Sequence, residues 1–139
     1  MVSPVQNSPG GKATILFVDD DPAIHRLLEK IASKFQLDMI QAFHGEEALE
    51  KMKNHAVDLV LLDIMMPQMD GRDVCRALKA DERTRDIPII IFSAKDNQSD
   101  RLLGLELGAD DYVTKPFHLE VLMRKIEHLL KVRRGKKVL

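Results

Sequence analysis

The sequence predicts an α/β domain built on one doubly wound, five-stranded parallel sheet with five helices. Three observations point there. Short apolar runs alternate in strict order with stretches whose apolar residues recur at helical spacing. Two of the runs, 57–62 and 87–92, are apolar almost throughout, as strands covered on both faces are. Each of the main runs also ends on a chemically capable side chain: Asp19, Asp63, Ser93 or Lys115. Right-handed crossovers between such strands bring those ends to one edge of the sheet.

The elements follow in order along the chain. Thr14, Ile15, Leu16, Phe17 and Val18 form the first strand and run into Asp19, Asp20 and Asp21. Ile24, Leu27, Leu28, Ile31, Ala32 and Phe35 then repeat with a helical period, and Pro22 suits the first turn of that helix. Residues 38–43 read as a short second strand and 45–54 as a small helix. The run through Leu62 delivers Asp63, after which Met65, Met66, Pro67, Gln68, Met69, Asp70 and Gly71 make a loop. Val74, Cys75 and Leu78 place a third helix. The strand 87–92 ends at Ser93, and Leu102, Leu103, Leu105 and Leu107 mark a fourth helix with Gly108 as candidate C-cap. The last strand lies near Tyr112 and ends at Lys115-Pro116. Leu119, Leu122, Met123, Ile126, Leu129 and Leu130 then form the stripe of a fifth helix.

Composition narrows the class. A chain of 139 residues with 45% hydrophobic and 31% charged content is one globular domain with a real core. Its net charge of -1 offers no global attraction to nucleic acid or an anionic membrane. One cysteine, Cys75, excludes an internal disulfide, suits a reducing cytosol, and sits where a small core residue is needed. No apolar stretch approaches the roughly 20 residues that span a bilayer. Residues 1–12 read as a disordered leader or an appended segment, 13–131 as the domain, and 132–139 as a basic tail or the start of a linker. His25, His44, His55, His118 and His128 lack metal-ligand spacing and read as surface residues. Met65, Met66 and Met69 read as loop packing.

The strand ends carry the chemistry. Ligands of open α/β sheets bind beyond the carboxyl ends of the strands. Clustered carboxylates there favour a hard cation such as Mg2+, and a lysine beside them favours a phosphoryl group. Each residue has a plainer role on its own: helix N-cap for the aspartates before Pro22, turn former for Asp63, strand-end hydroxyl for Ser93, solvated cation for Lys115, half-buried aromatic for Tyr112. Their joint occurrence in this order favours a phosphoryl-accepting switch.

Four segments carry a family resemblance: Ile15 to Pro22 with its three aspartates, Asp58 to Pro67 followed by Asp70-Gly71, Phe92-Ser93-Ala94-Lys95, and Gly108 to Phe117. From about Ala13 to Leu130 the chain resembles the receiver domains of two-component response regulators, a flavodoxin-like fold with strand order 2-1-3-4-5. The resemblance implies that Asp63 is the phosphoryl acceptor, a nucleophile that forms a mixed anhydride. It implies Mg2+, with Mn2+ as substitute, held by Asp63, Asp20, the main-chain carbonyl of Met65, and Asp19 through a water. Lys115 would neutralise one phosphoryl oxygen and Ser93 would donate to another, while Ser93 and Tyr112 would move as the switch. Lys115-Pro116 would be cis, and Met65 and Lys95 would set the lifetime of the modified form. The implied partners are a sensor histidine kinase or phosphotransfer protein and an output domain or target protein; the implied location is the cytoplasm. No direct nucleic-acid or membrane contact is expected. The domain would be no enzyme in the ordinary sense, although it would catalyse its own phosphorylation and dephosphorylation. A weak, phosphorylation-favoured dimer is compatible with Asp111 and Lys125, which match charge-pair positions of one receiver class, whereas Val121 departs from that class.

Other classes make different demands. An aspartyl phosphatase of the haloacid-dehalogenase type would use Asp19 and Asp21, but this chain has Ala23 where that family usually carries a hydroxyl residue or Val, and it is short for a cap domain. A flavin carrier would need Gly, Ser or Thr after Val18, where aspartates would repel its phosphate. A phosphorylation-independent pseudo-receiver would not need every key position filled.

Overall fold

The structure is a computed structural model that describes residues 12–66, 71–94 and 98–138. Among the described residues, five strands and five helices alternate: β1 Thr14–Val18, α1 Pro22–Lys34, β2 Asp38–Ala42, α2 Gly45–Asn54, β3 Leu59–Asp63, α3 Gly71–Ala80, β4 Ile89–Ala94, α4 Gln98–Glu106, β5 Asp111–Lys115 and α5 Leu119–Val138. All pairings are parallel, in the order β2-β1-β3-β4-β5. The predicted architecture is therefore the observed one. Residues 1–11, 67–70, 95–97 and 139 lie outside the described residues, which includes Met69, Asp70 and Lys95 and nearly all of the expected leader.

Pleating sorts side chains onto two cores. Leu16, Val18, Val60, Leu62, Ile89 and Ile91 face Ala48 and Met52 of α2 and Val74, Cys75 and Leu78 of α3. Ile15, Phe17, Leu59, Leu61, Ile90 and Phe92 face Leu28 and Ala32 of α1 and Leu122, Met123, Ile126 and Leu130 of α5. β3 is buried along its whole length, as its apolar run requires. Cys75 is buried and free, in the core position expected of it.

Local chemistry sets the helix ends. Asp21 caps α1 through its side chain, accepting from Ala23 N at 2.9 Å, with Pro22 in the first turn. His44 and Glu47 form a reciprocal cap at α2, His44 Nδ1 accepting from Glu47 N at 3.2 Å and Glu47 Oε1 from Phe43 N at 2.6 Å. Gly108, at φ +103°, follows α4 as the predicted C-cap; a side chain there would be strained.

Some expectations need correction. β2 stops at Ala42, so Phe43 belongs to the turn and is exposed. Leu27 lies outside the buried face of α1, which is formed by His25, Leu28 and Ala32. Leu102 and Leu105 are exposed, because α4 turns Gly104, and with it Leu107, toward the sheet; a Cβ on Gly104 would run into Ile91 Cδ1. Beyond these corrections, α5 continues past residue 131 to Val138, so residues 132–138, read as a basic tail or the start of a linker, are helical. Among the described residues, no helix is long and apolar enough to cross a membrane.

Candidate functional site

The carboxyl ends of β1, β3, β4 and β5 meet at one rim, because the register aligns Val18 with Leu62, Asp63 with Phe92 and Ser93 with Thr114. Asp19 follows β1 directly and is fully buried. Its N–H donates to Ala42 O at 3.1 Å, and its Oδ1 accepts from Asp21 N at 2.9 Å. Asp63 ends β3 and is 6% exposed, with Oδ1 accepting from Met65 N at 3.0 Å. Asp20 is exposed. One carboxylate oxygen of each of Asp19, Asp20 and Asp63 lies within 4.8 Å of the others. The plainer reading of the aspartate triplet thus holds for Asp21, which caps the helix, while Asp19 and Asp20 lie in the carboxylate cluster with Asp63.

Lys115 closes the pocket from β5. Its Nζ donates to Asp19 Oδ2 at 2.6 Å and to Asp63 Oδ2 at 3.3 Å, and it lies 5.9 Å from the centre of the Phe92 ring. The Lys115-Pro116 bond is cis. Burial disfavours the ammonium, but the bond to Asp19 and the charges of Asp63 and Asp19 outweigh that and raise its pKa. At Asp63, burial dominates and pushes the carboxyl up to about 6, helped by the Asp19 charge and opposed by the Met65 N–H and by Lys115. Three carboxylates face a single ammonium here. Like charges about 4 Å apart repel by roughly 4 kcal/mol at an effective dielectric near 20, so the pocket is electrostatically suited to a further cation. Its donors are all oxygen, the set a hard divalent ion takes.

Ser93 is 1% exposed, and its Oγ has no hydrogen-bond partner among the described residues. A buried hydroxyl normally has one, so its donor is available to an oxygen brought into the pocket. Tyr112 is half-buried, packed against the α2–α3 core, with Lys125 Nζ 5.4 Å from its ring centre. Met65 is 58% exposed and Met66 buried.

Gly71 shows why this rim tolerates no bulk. A Cβ there would stand 2.4 Å from Asp63 O and 2.6 Å from Ile64 Cα, both backbone atoms. α3 therefore starts directly against the strand that carries Asp63, tied by Gly71 N to Ile64 O at 3.1 Å.

The model of the response regulator receiver domain matches residues 15–127 of this chain. The chain belongs to the response regulator receiver family. This receiver is 42% identical over 117 residues to the alkaline phosphatase synthesis transcriptional regulatory protein PhoP of Bacillus subtilis (strain 168), covering 84% of this chain and 48% of that protein. Its fold matches the receiver domain of the Francisella response regulator 1452 with a TM-score of 0.79 at 32% identity, covering 86% and 98% of the two chains. The receiver domain of sensor histidine kinase PA1611 from Pseudomonas aeruginosa PAO1, solved with magnesium coordinated in its active-site cleft, also gives 0.79, at 28% identity and the same coverages. The chain spans about half the length of the curated relatives it matches. It is thus a receiver of the two-component response regulator type, with the flavodoxin-like strand order its motifs imply.

The rim brings together Asp19, Asp20, Asp63 and Lys115, with Ser93 on the strand beside Asp63; Tyr112 lies on β5, back from the cluster. One residue beside the pocket was read differently from sequence, and one polar residue in an apolar run had been given no role. His25 was expected at the surface, yet it is 2% exposed, its Nε2 2.7 Å from Asp19 O. Asp58, within an apolar run, is buried and accepts from Thr14 N at 2.8 Å at the opposite end of the sheet. Asp111 and Lys125, matched to dimer positions, bond to each other within the chain at 2.8 Å.

Proposed function

We propose that Asp63 accepts a phosphoryl group with Mg2+ in the pocket, and that this modification switches the face formed by α4, β5 and α5. The observation that carries the reading is the convergence of Asp19, Asp20, Asp63 and Lys115 at one rim beside the unpartnered Ser93 hydroxyl. A carboxylate oxygen of Asp63 attacks phosphorus; the bond from phosphorus to the donor nitrogen or oxygen breaks, and the leaving group keeps the electron pair. Bound Mg2+ supplies charge neutralisation between the carboxylates and the incoming phosphoryl oxygens. Asp19, Asp20, Asp63 and the Met65 carbonyl would hold it, with Mn2+ as substitute. Lys115 offers its ammonium to a phosphoryl oxygen and Ser93 its O–H to another.

The switch follows from differential affinity. Only modified Asp63 offers Ser93 an acceptor, so modification favours the state in which that bond forms. Tyr112, beside β4 on β5, then moves toward the space Ser93 leaves. The chemistry is self-directed, so the domain acts as a switch and turns over no separate substrate. Its donor is a sensor histidine kinase or phosphotransfer protein in the cytoplasm, and its output is a further domain or partner protein.

The test is mass spectrometry after treatment with acetyl phosphate and MgCl2, with beryllofluoride as a stable mimic. An adduct of one phosphoryl group on Asp63 is expected, lost in Asp63→Ala. An adduct on Asp19 would convert the reading to an aspartyl phosphatase, and no adduct with metal present would make the chain a phosphorylation-independent module.

A further inference from the structure

We infer that His25 is the positioning residue of the acidic pocket: from the core side it binds the carbonyl of Asp19 and thereby fixes the direction of Asp20. The inference rests on the proposed reading of the pocket as a Mg2+ site. His25 Nε2 stands 2.7 Å from Asp19 O in a buried contact, and Nδ1 stands 3.0 Å from Gln41 Oε1. A carbonyl oxygen only accepts, so Nε2 donates to Asp19 O; Gln41 Oε1 also only accepts, so Nδ1 donates to it in turn and the ring is held as a donor at both ends. The ring is clamped by Phe43, stacked at 4.0 Å and 26°, and by Phe17, tilted at 4.6 Å and 57°. Gln41 is itself held, its Nε2 donating to Glu29 Oε2 at 3.4 Å and its carbonyl accepting from Lys51 Nζ at 2.5 Å.

The geometry matters because of which peptide is held. β1 ends at Val18, so the Asp19 carbonyl has left the ladder and still needs a donor. Asp19 N is fixed by Ala42 O, and the carbonyl is fixed by His25. That carbonyl belongs to the planar unit joining Asp19 to Asp20, so its orientation dictates where Asp20 starts. Asp20 itself is exposed, and its carboxylate has no hydrogen bond or ion pair among the described residues. Its aim therefore comes from the backbone behind it. A rigid imidazole locked between two aromatic rings suits this task better than a flexible donor would.

The experiment compares His25→Met, which keeps bulk and removes the donor, with His25→Gln, whose amide N–H restores one. Leu28→Ala serves as a control that weakens the same helix without touching Asp19. In metal-free His25→Met the Asp19 carbonyl carbon resonance should shift, and by the usual cost of losing a supporting contact the dissociation constant for MgCl2 should rise about 10-fold or more. His25→Gln should recover both readouts, and Leu28→Ala should change neither while lowering thermal stability. An unmoved Asp19 resonance in His25→Met, or an equal loss of affinity in Leu28→Ala, would overturn the assignment. The wild-type protein provides a test that needs no variant: the Nε2 proton should exchange slowly with water, and free-imidazole exchange would overturn the assignment too. Should wild-type protein bind no Mg2+, the pocket reading falls, and the metal-free resonance and proton exchange still decide the role of His25.

Discussion

Lys115 donates to Asp19 at 2.6 Å and to Asp63 at 3.3 Å, so one ammonium bridges the two carboxylates most buried at the rim. The lysine and a divalent ion would therefore share the same two carboxylates. The lysine offsets part of the repulsion between Asp19 and Asp63 while being tethered to β5, where it can respond to a change at Asp63.

Lys115→Ala should accordingly keep or strengthen Mg2+ binding, because a competitor for the carboxylates is gone. The same variant should lose the beryllofluoride-induced spectral change. A MgCl2 titration and an NMR comparison with and without beryllofluoride check both halves. Normal activation in the variant would remove Lys115 from the switch.

The raised Asp63 pKa predicts an acid-side signature. With the folded value at about 6 against an ordinary 3.8, the folded protein holds a proton that the unfolded chain has released between those limits. Stability of the metal-free protein should fall as pH rises through that window and level off above it. Asp63→Asn should abolish that fall and be the more stable protein above pH 6 or so. Urea unfolding from pH 4 to 8, with a carbon NMR titration of Asp63, measures it. An Asp63 carboxyl titrating at its ordinary value would refute the prediction.

Ser93→Ala should stabilise the unmodified protein. The hydroxyl is buried without a partner, and deleting such a group recovers its desolvation cost, about 1–3 kcal/mol. The gain should vanish, or reverse, when beryllofluoride is bound. Equal stabilisation of both forms would mean that Ser93 makes no contact with the modified site.

Gly71→Ala should destabilise by about 1–3 kcal/mol, the usual cost of overpacking, since the new methyl meets backbone of β3 on a contact that cannot yield cheaply. Mg2+ affinity should fall with it, because the displaced atoms carry Asp63. Loss of stability with unchanged affinity would show that α3 yields and the strand end stays in place.

Much of this was legible in the chain because the signals are local. Strand and helix periods, Pro22, Gly108 and the residues at the strand ends announce themselves within a few positions, and parallel topology does the rest. What escaped depends on contacts from elsewhere. His25 looks like a polar interruption of the α1 stripe until β2 brings Gln41, and the turn after it Phe43, over the helix. Leu27 fits the stripe by spacing, but the buried face turns toward His25, Leu28 and Ala32. Asp111 and Lys125 are far apart in sequence, and only the docking of α5 beside β5 pairs them. Gly71 was visible as part of a motif; its reason, the close approach of α3 to Asp63, is purely spatial.

The staggered alignment of the strands has a last consequence. Since Asp19, Asp20, Asp63, Ser93 and Lys115 all stand at the edge of the open sheet where β1, β3, β4 and β5 stop, the outward faces of the helices take no part in that cluster. Such a molecule can acquire new associates by surface drift while its reaction stays unchanged, which separates the question of what it speaks to from the question of how it is set.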